Sequence, residues 1–95
     1  MMFTDGAEIL FYRYELRYIH DKEGREIDFV ILKEGIIEEL IEVKCSDDKI
    51  SKHLKYYAEK LNPRKATQIV ANLKAPYSNG KINVTDPVTY FKRGV

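Results

Sequence analysis

Three residues of this chain are of types that could act together on one bound group: Asp28, Glu42 and Lys44. Asp28 sits in Arg25-Glu26-Ile27-Asp28-Phe29-Val30-Ile31-Leu32, and the other two sit in Ile36-Ile37-Glu38-Glu39-Leu40-Ile41-Glu42-Val43-Lys44. Both runs alternate and are rich in β-branched residues, and Glu34-Gly35 separates them, so the spacing predicts a β-hairpin. Residues two apart share a strand face, which puts Glu42 with Lys44 and sets Ile41 and Val43 on the other side. On the first strand Ile27, Phe29 and Ile31 form one face and leave Asp28 on the other. A two-residue loop would oppose Asp28 to Ile41. A three-residue loop over Glu34, Gly35 and Ile36 pairs Ile27 with Val43, Phe29 with Ile41 and Asp28 with Glu42, and the apolar pattern favours this register. Two carboxylates then face each other directly and repel. A divalent cation between them, with Lys44 beside it, would relieve the repulsion; Lys44 screening both at an exposed sheet rim would do so without metal. The Glu-x-Lys triplet alone carries no weight, since Asp47-Asp48-Lys49 is a second acidic-x-Lys run at an expected helix start, where no face is shared.

The elements that must position these groups follow from periodicity. Residues 9–20 alternate Leu10, Tyr12, Tyr14, Leu16 and Tyr18 with Phe11, Arg13, Glu15, Arg17 and Ile19, which reads as one long strand. Its tyrosine face suits packing or base stacking. Residues 1–8 are too few for a full helix ahead of it. Asp21-Lys22-Glu23-Gly24 supplies a turn, and the result is a three-stranded antiparallel meander. Ser46 or Asp47 is the expected N-cap of an amphipathic helix over 47–62, with Ile50, Leu54, Tyr57, Ala58 and Leu61 on its apolar side and Asn62-Pro63 ending it. His53 falls among lysines and reads as a surface histidine. The apolar run 67–73 is the next strand, and a right-handed crossover makes it parallel to the strand over 37–44. Residues 76–80 read as a loop, 81–85 as a brief strand, and Asp86-Pro87 as the start of a terminal helix through 92. The fold class is therefore α/β with a mixed sheet.

Ninety-five residues, 44% hydrophobic and 33% charged, describe one small domain spanning 1–95. A single Cys45 excludes an internal disulfide, and with only His20 and His53 it leaves too few ligands for a thiolate–imidazole zinc site. A reducing, cytoplasmic setting is expected, and no apolar run approaches membrane-spanning length. The net charge of +1 hides an asymmetry. Residues 34–48 hold six acids against Lys44, and residues 49–65 hold six bases against Glu59. An acidic strand end beside a basic helix suits a metal site next to a phosphate track, with Lys49, Lys52, Lys55 and Arg64 as nucleic-acid contacts; a solvated lysine-rich face is the plainer alternative.

An Asp on one strand, Glu-x-Lys on the next, then a helix and another strand resembles the core of the PD-(D/E)XK, or restriction-endonuclease-like, nuclease superfamily. More narrowly, Asp21-Lys22-Glu23-Gly24-Arg25-Glu26-Ile27-Asp28-Phe29-Val30-Ile31 followed by Ile41-Glu42-Val43-Lys44 is similar to the C-terminal domain of unknown function that follows the ATPase module of many prokaryotic AAA-type ATPases. The likeness covers residues 10–73. It implies that Asp28, Glu42 and the Val43 carbonyl bind Mg²⁺ or Mn²⁺, that Lys44 positions water or neutralises charge, and that the substrate is DNA. The superfamily core opens with a helix that often carries another acidic residue. Here that helix is expected to be missing or reduced, with Glu8 or Glu15 left to replace its carboxylate. Its loss would bare part of the sheet, which predicts a homodimer or strand-exchanged oligomer burying the Tyr12, Tyr14 and Leu16 side. The alternatives are a non-catalytic nucleic-acid-binding module and an oligomerisation or docking domain for an AAA-type ATPase.

Overall fold

A computed structural model describes residues 3–11, 13–46 and 49–93. In chain order the elements are β1 (Phe3–Phe11), β2 (Tyr14–His20), β3 (Glu26–Lys33), β4 (Ile36–Lys44), α1 (Lys52–Leu61), β5 (Lys65–Val70), β6 (Tyr77–Asn79), β7 (Ile82–Thr85) and α2 (Pro87–Arg93). They build a mixed α/β structure on one sheet, whose seven described strands run in the order β1-β2-β3-β4-β5-β7-β6. The first four strands form an antiparallel meander, and α1 then carries the chain over to β5, which is parallel to β4. The meander and the parallel crossover follow the hydrophobic pattern of the sequence.

Several boundaries differ from expectation. The long strand over 9–20 is two strands, β1 and β2, folded back on each other, so the meander has four members rather than three. Tyr12, at that reversal, lies outside the described residues. The helix starts at Lys52 because the Ser51 hydroxyl accepts the Leu54 N–H at 3.2 Å and caps it there, which leaves Ser46 in a bend. Asp47, the other expected cap, lies outside the described residues. β5 ends at Val70 rather than 73, and part of the expected loop forms β6 by pairing with β7.

The β3–β4 hairpin reaches its register by an unexpected route. Its turn is two residues, Glu34 and Gly35, both with positive φ (53° and 80°), the conformation that tight hairpins favour. Lys33 therefore pairs with Ile36, yet Phe29 still pairs with Ile41, because the pairing slips by one residue at Glu38. That β-bulge restores the alignment a longer loop was expected to provide. A second bulge lies on the other side of β3. Arg17 pairs with Val30 and Ile19 with Ile27, so Tyr18 faces both Asp28 and Phe29. Alternation breaks there: Ile27 joins Val30 and Leu32 in the core under α1, while Phe29 stays 41% exposed. The expected common face of Ile27, Phe29 and Ile31 is therefore divided by the bulge.

One face of the sheet packs Ile19, Ile27, Val30, Leu40, Ala66 and Val84 against Leu54, Tyr57 and Ala58 of α1. The helix is also pinned by a polar bolt. The Tyr57 hydroxyl donates to Asp21, which also accepts the Arg25 Nε–H at 2.9 Å and the N–H groups of Glu23 (3.0 Å) and Arg25 (2.9 Å). Arg25 in turn lies 3.9 Å from the centre of the Tyr56 ring. The β2–β3 turn and the middle of α1 are thus one unit. Among the described residues no helix is long and apolar enough to cross a membrane.

Burial alone would raise the Asp21 carboxyl, but the Tyr57 hydroxyl, the Arg25 N–H and guanidinium and the Glu23 N–H lower it to about 2. A carboxyl depressed on folding contributes stability above its unfolded pKa, and that contribution is lost as the pH falls through the folded value. Acid unfolding of the wild type should therefore include a loss of stability between about pH 4 and pH 2 that Asp21→Asn lacks. Tyr57→Phe should cost about 2 kcal/mol at neutral pH, the worth of a hydrogen bond to a charged group, as measured by urea unfolding.

Candidate functional site

Beyond the Phe29–Ile41 pair, β3 and β4 are joined by their carboxylates. The Asp28 N–H donates to Glu42 Oε1 at 3.1 Å, and the Val43 N–H donates to Asp28 Oδ2 at 2.9 Å. Each acid occupies a place that a backbone carbonyl would take in an unbroken ladder. The two carboxylates are thereby held close together by reciprocal bonds. In an extended strand a residue's N–H and C=O address the same neighbour, so the Val43 carbonyl is directed toward β3, beside Asp28.

The start of α1 forms the opposite wall. Asp28, Glu42, Val43 and Lys44 line a cleft of about 550 Å³ together with Lys49, Ser51, Lys52 and His53. A buried glutamine clamps this wall in place: Gln68 on β5 accepts the Ser51 N–H at 2.8 Å through Oε1 and donates to the Lys49 carbonyl at 2.8 Å through Nε2. Glu42 also takes a hydrogen bond from the Ser51 side chain, whose oxygen caps the helix. The α1 N-terminus and its partial positive charge therefore sit against the acidic pair.

Burial and the neighbouring Asp28 charge push the Glu42 carboxyl above its ordinary value, and the hydrogen bonds from Asp28 and Ser51 and the nearby His53 offset part of that shift. The donor set is two carboxylates and a main-chain carbonyl. Among the described residues no group of three or more His, Cys, Asp or Glu side chains could hold a metal ion. A cation here would complete its shell with water, which suits the octahedral, oxygen-only demands of Mg²⁺.

The structure brings Asp28, Glu42, Val43, Lys44, Lys49 and Lys52 to one cleft. Lys55 is exposed one turn further along α1, where its N–H bonds the Ser51 carbonyl at 3.0 Å. Arg64 is not brought there: it lies beyond the other end of α1, with its Nε 3.5 Å from Glu38. His53 and Ser51 are the members that sequence reasoning passed over. His53 Nδ1 accepts the Glu26 N–H at 3.2 Å, so that nitrogen carries a lone pair and Nε2 carries the proton. The available signal was Ser51 as an alternative cap, which makes His53 the second helical residue and turns it toward the strands.

The family described as a domain of unknown function, DUF4143, matches residues 6–90. Neither the curated proteins nor the solved structures give a match.

A glutamate whose pKa rises on folding binds its proton more tightly in the native state, so stability falls as the pH climbs from about 4 through the raised value. Asp28→Asn keeps an acceptor for the Val43 N–H and removes the like charge. It should lower the Glu42 titration midpoint and raise stability near pH 7 by up to about 1 kcal/mol. Carbon-detected NMR of the Glu42 carboxyl reads this directly, and an unmoved midpoint would show that the two acids are not coupled.

Proposed function

Since the chain belongs to the DUF4143 family, whose name assigns no activity, we propose a function from the site itself: a PD-(D/E)XK-type domain performing metal-dependent phosphodiester hydrolysis on DNA. The observation that carries this reading is the reciprocal Asp28–Glu42 pair, with Lys44 and the start of α1 lining the same cleft. The order of elements supports it as well, since an antiparallel meander bearing the acids is followed by a crossover helix and a parallel strand.

Asp28, Glu42 and the Val43 carbonyl would hold Mg²⁺ or Mn²⁺. A bound ion would polarise a phosphodiester oxygen and lower the pKa of its water to supply hydroxide. Lys44 shares the Glu42 face of β4 and would orient that water or neutralise charge developing on the phosphate. Lys49 and Lys52 at the cleft, and Lys55 beyond it, offer positive charge to the DNA backbone. The His53 Nε2–H is a further donor for a phosphate oxygen.

A second reading, an oligomerisation or docking module for an AAA-type ATPase, draws on the other side of the same strands. Phe29 and Val43 are 41% and 49% exposed there, next to the partly buried Ile31. An apolar surface of this kind is suited to burial against a second chain.

Supercoiled, branched and single-stranded DNA incubated with Mg²⁺ or Mn²⁺ should be cleaved, and Asp28→Ala and Lys44→Ala should each slow cleavage by about a hundredfold or more. Equal activity in both variants would remove the assignment. Mn²⁺ at about a hundred times its Kd should stabilise the fold by about 2.7 kcal/mol, and Glu42→Gln should abolish that gain. Concentration-dependent assembly without DNA affinity would favour the docking reading instead.

A further inference from the structure

The sheet face away from α1 holds a second cavity, of about 410 Å³, between the strands and α2. Glu39, Thr67, Asn83, Thr85 and Tyr90 line it, with Tyr14 at one side. Three features of this cavity call for the same kind of occupant.

The first is charge. Glu39 is only 7% exposed, and its carboxylate accepts the Thr67 hydroxyl at 2.6 Å and the Tyr90 hydroxyl at 3.0 Å. Both donors are neutral. Burial first, then the adjoining Glu39 carboxylate, push the Tyr90 phenol up to about 12. Lys65, the Cα partner of Glu39 across the β4–β5 ladder, also lines the cavity, but its side chain is exposed, and among the described residues no ion pair joins it or another cation to Glu39. A buried carboxylate without a counter-charge is costly.

The second feature is an orphan. Thr85 is 4% exposed, and its hydroxyl is the only buried side-chain polar atom among the described residues that lacks a hydrogen-bond partner. Native structures seldom tolerate such a group without a reason. The third is the rim. Glu38, on the same cavity, already holds a guanidinium, that of Arg64 at 3.5 Å, and the Tyr14 ring has the Lys33 ammonium 5.6 Å from its centre. These rim groups already hold cations, and Glu39 is the carboxylate of the cavity that has none. A water molecule claims about 30 Å³ of liquid, so one water does not fill the space.

We propose that this cavity binds a small organic cation, a primary ammonium or a guanidinium, with Glu39 as its counter-charge and the Thr85 hydroxyl as an acceptor. An anion would meet Glu39 at close range, and a neutral ligand would leave that charge uncompensated. The cation is either a free amine or the arginine or lysine side chain of a partner protein, and the same acceptors satisfy both. The site lies on the opposite sheet face from Asp28 and Glu42 and does not depend on the nuclease reading.

The test is a calorimetric and NMR titration of the whole chain with two probes, agmatine and the blocked peptide acetyl-Gly-Arg-Gly-amide. Saturable binding is expected, weakened at least tenfold by Glu39→Gln and unchanged by Glu59→Gln on the exposed side of α1. Thr85→Val should weaken binding while raising the thermal midpoint of the free protein, because it deletes an unsatisfied hydroxyl without changing the shape of the site. Tighter binding of agmatine identifies a free amine, and tighter binding of the peptide identifies a partner's side chain. Absence of saturable binding by both probes, or binding that survives Glu39→Gln undiminished, overturns the proposal.

Discussion

A pleated strand shows alternate residues to alternate faces, and a segment can escape that rule only by adding a residue that its neighbour does not match. Besides an irregularity between β1 and β2, β3 is flanked by two such escapes, at Asp28–Phe29 against β2 and at Glu38 of β4. The first bulge lets Ile27 and Val30 both enter the core under α1, and it leaves Asp28 at the point where β3 and β4 stop pairing through their backbones. The second lets Ile37 and Leu40 both face α1, and it turns Glu39 to the other side of the sheet beside Thr67. Each bulge adjoins one of the two polar cavities. Apolar residues are kept buried on both sides of each irregularity, and the acids next to them are re-aimed.

The helix that forms the second wall of the cleft is held at its start and at its middle. Gln68 clamps the residues just before α1, and Asp21 bolts Tyr57 in its middle to the β2–β3 turn. Both anchors are buried or partly buried polar contacts, where a lost partner leaves an unsatisfied group. The distance between the α1 N-terminus and the Asp28–Glu42 pair is thus set by directional bonds as well as by apolar packing.

Both cavities hold polar groups whose placement costs stability. Asp28 and Glu42 repel, Glu39 is buried against neutral hydroxyls, and the Thr85 hydroxyl is unsatisfied. Elsewhere local preference and tertiary environment agree: Ser51 and Asp86 cap helices, Gly35 takes a positive-φ turn position, and Asn62 closes α1 in the left-handed region. The departures named above adjoin the two clefts.

Alternation and helical periodicity are local properties of the chain, and they determined the hairpin carrying Asp28 and Glu42, the amphipathic α1, the parallel β5 and the short α2. They also placed Glu42 and Lys44 on one face and aligned Phe29 with Ile41, because a misaligned strand would turn its apolar side to water. Only the tertiary structure decided how that alignment is reached, since a bulge depends on the strand across from it, and residue order does not record which neighbour goes unmatched. The same holds for the division of residues 9–20 into two strands, for the cap at Ser51 rather than Ser46, and for the approach of His53 to Glu26. Each is a choice among locally equivalent options, and it is settled by contacts that span the sheet.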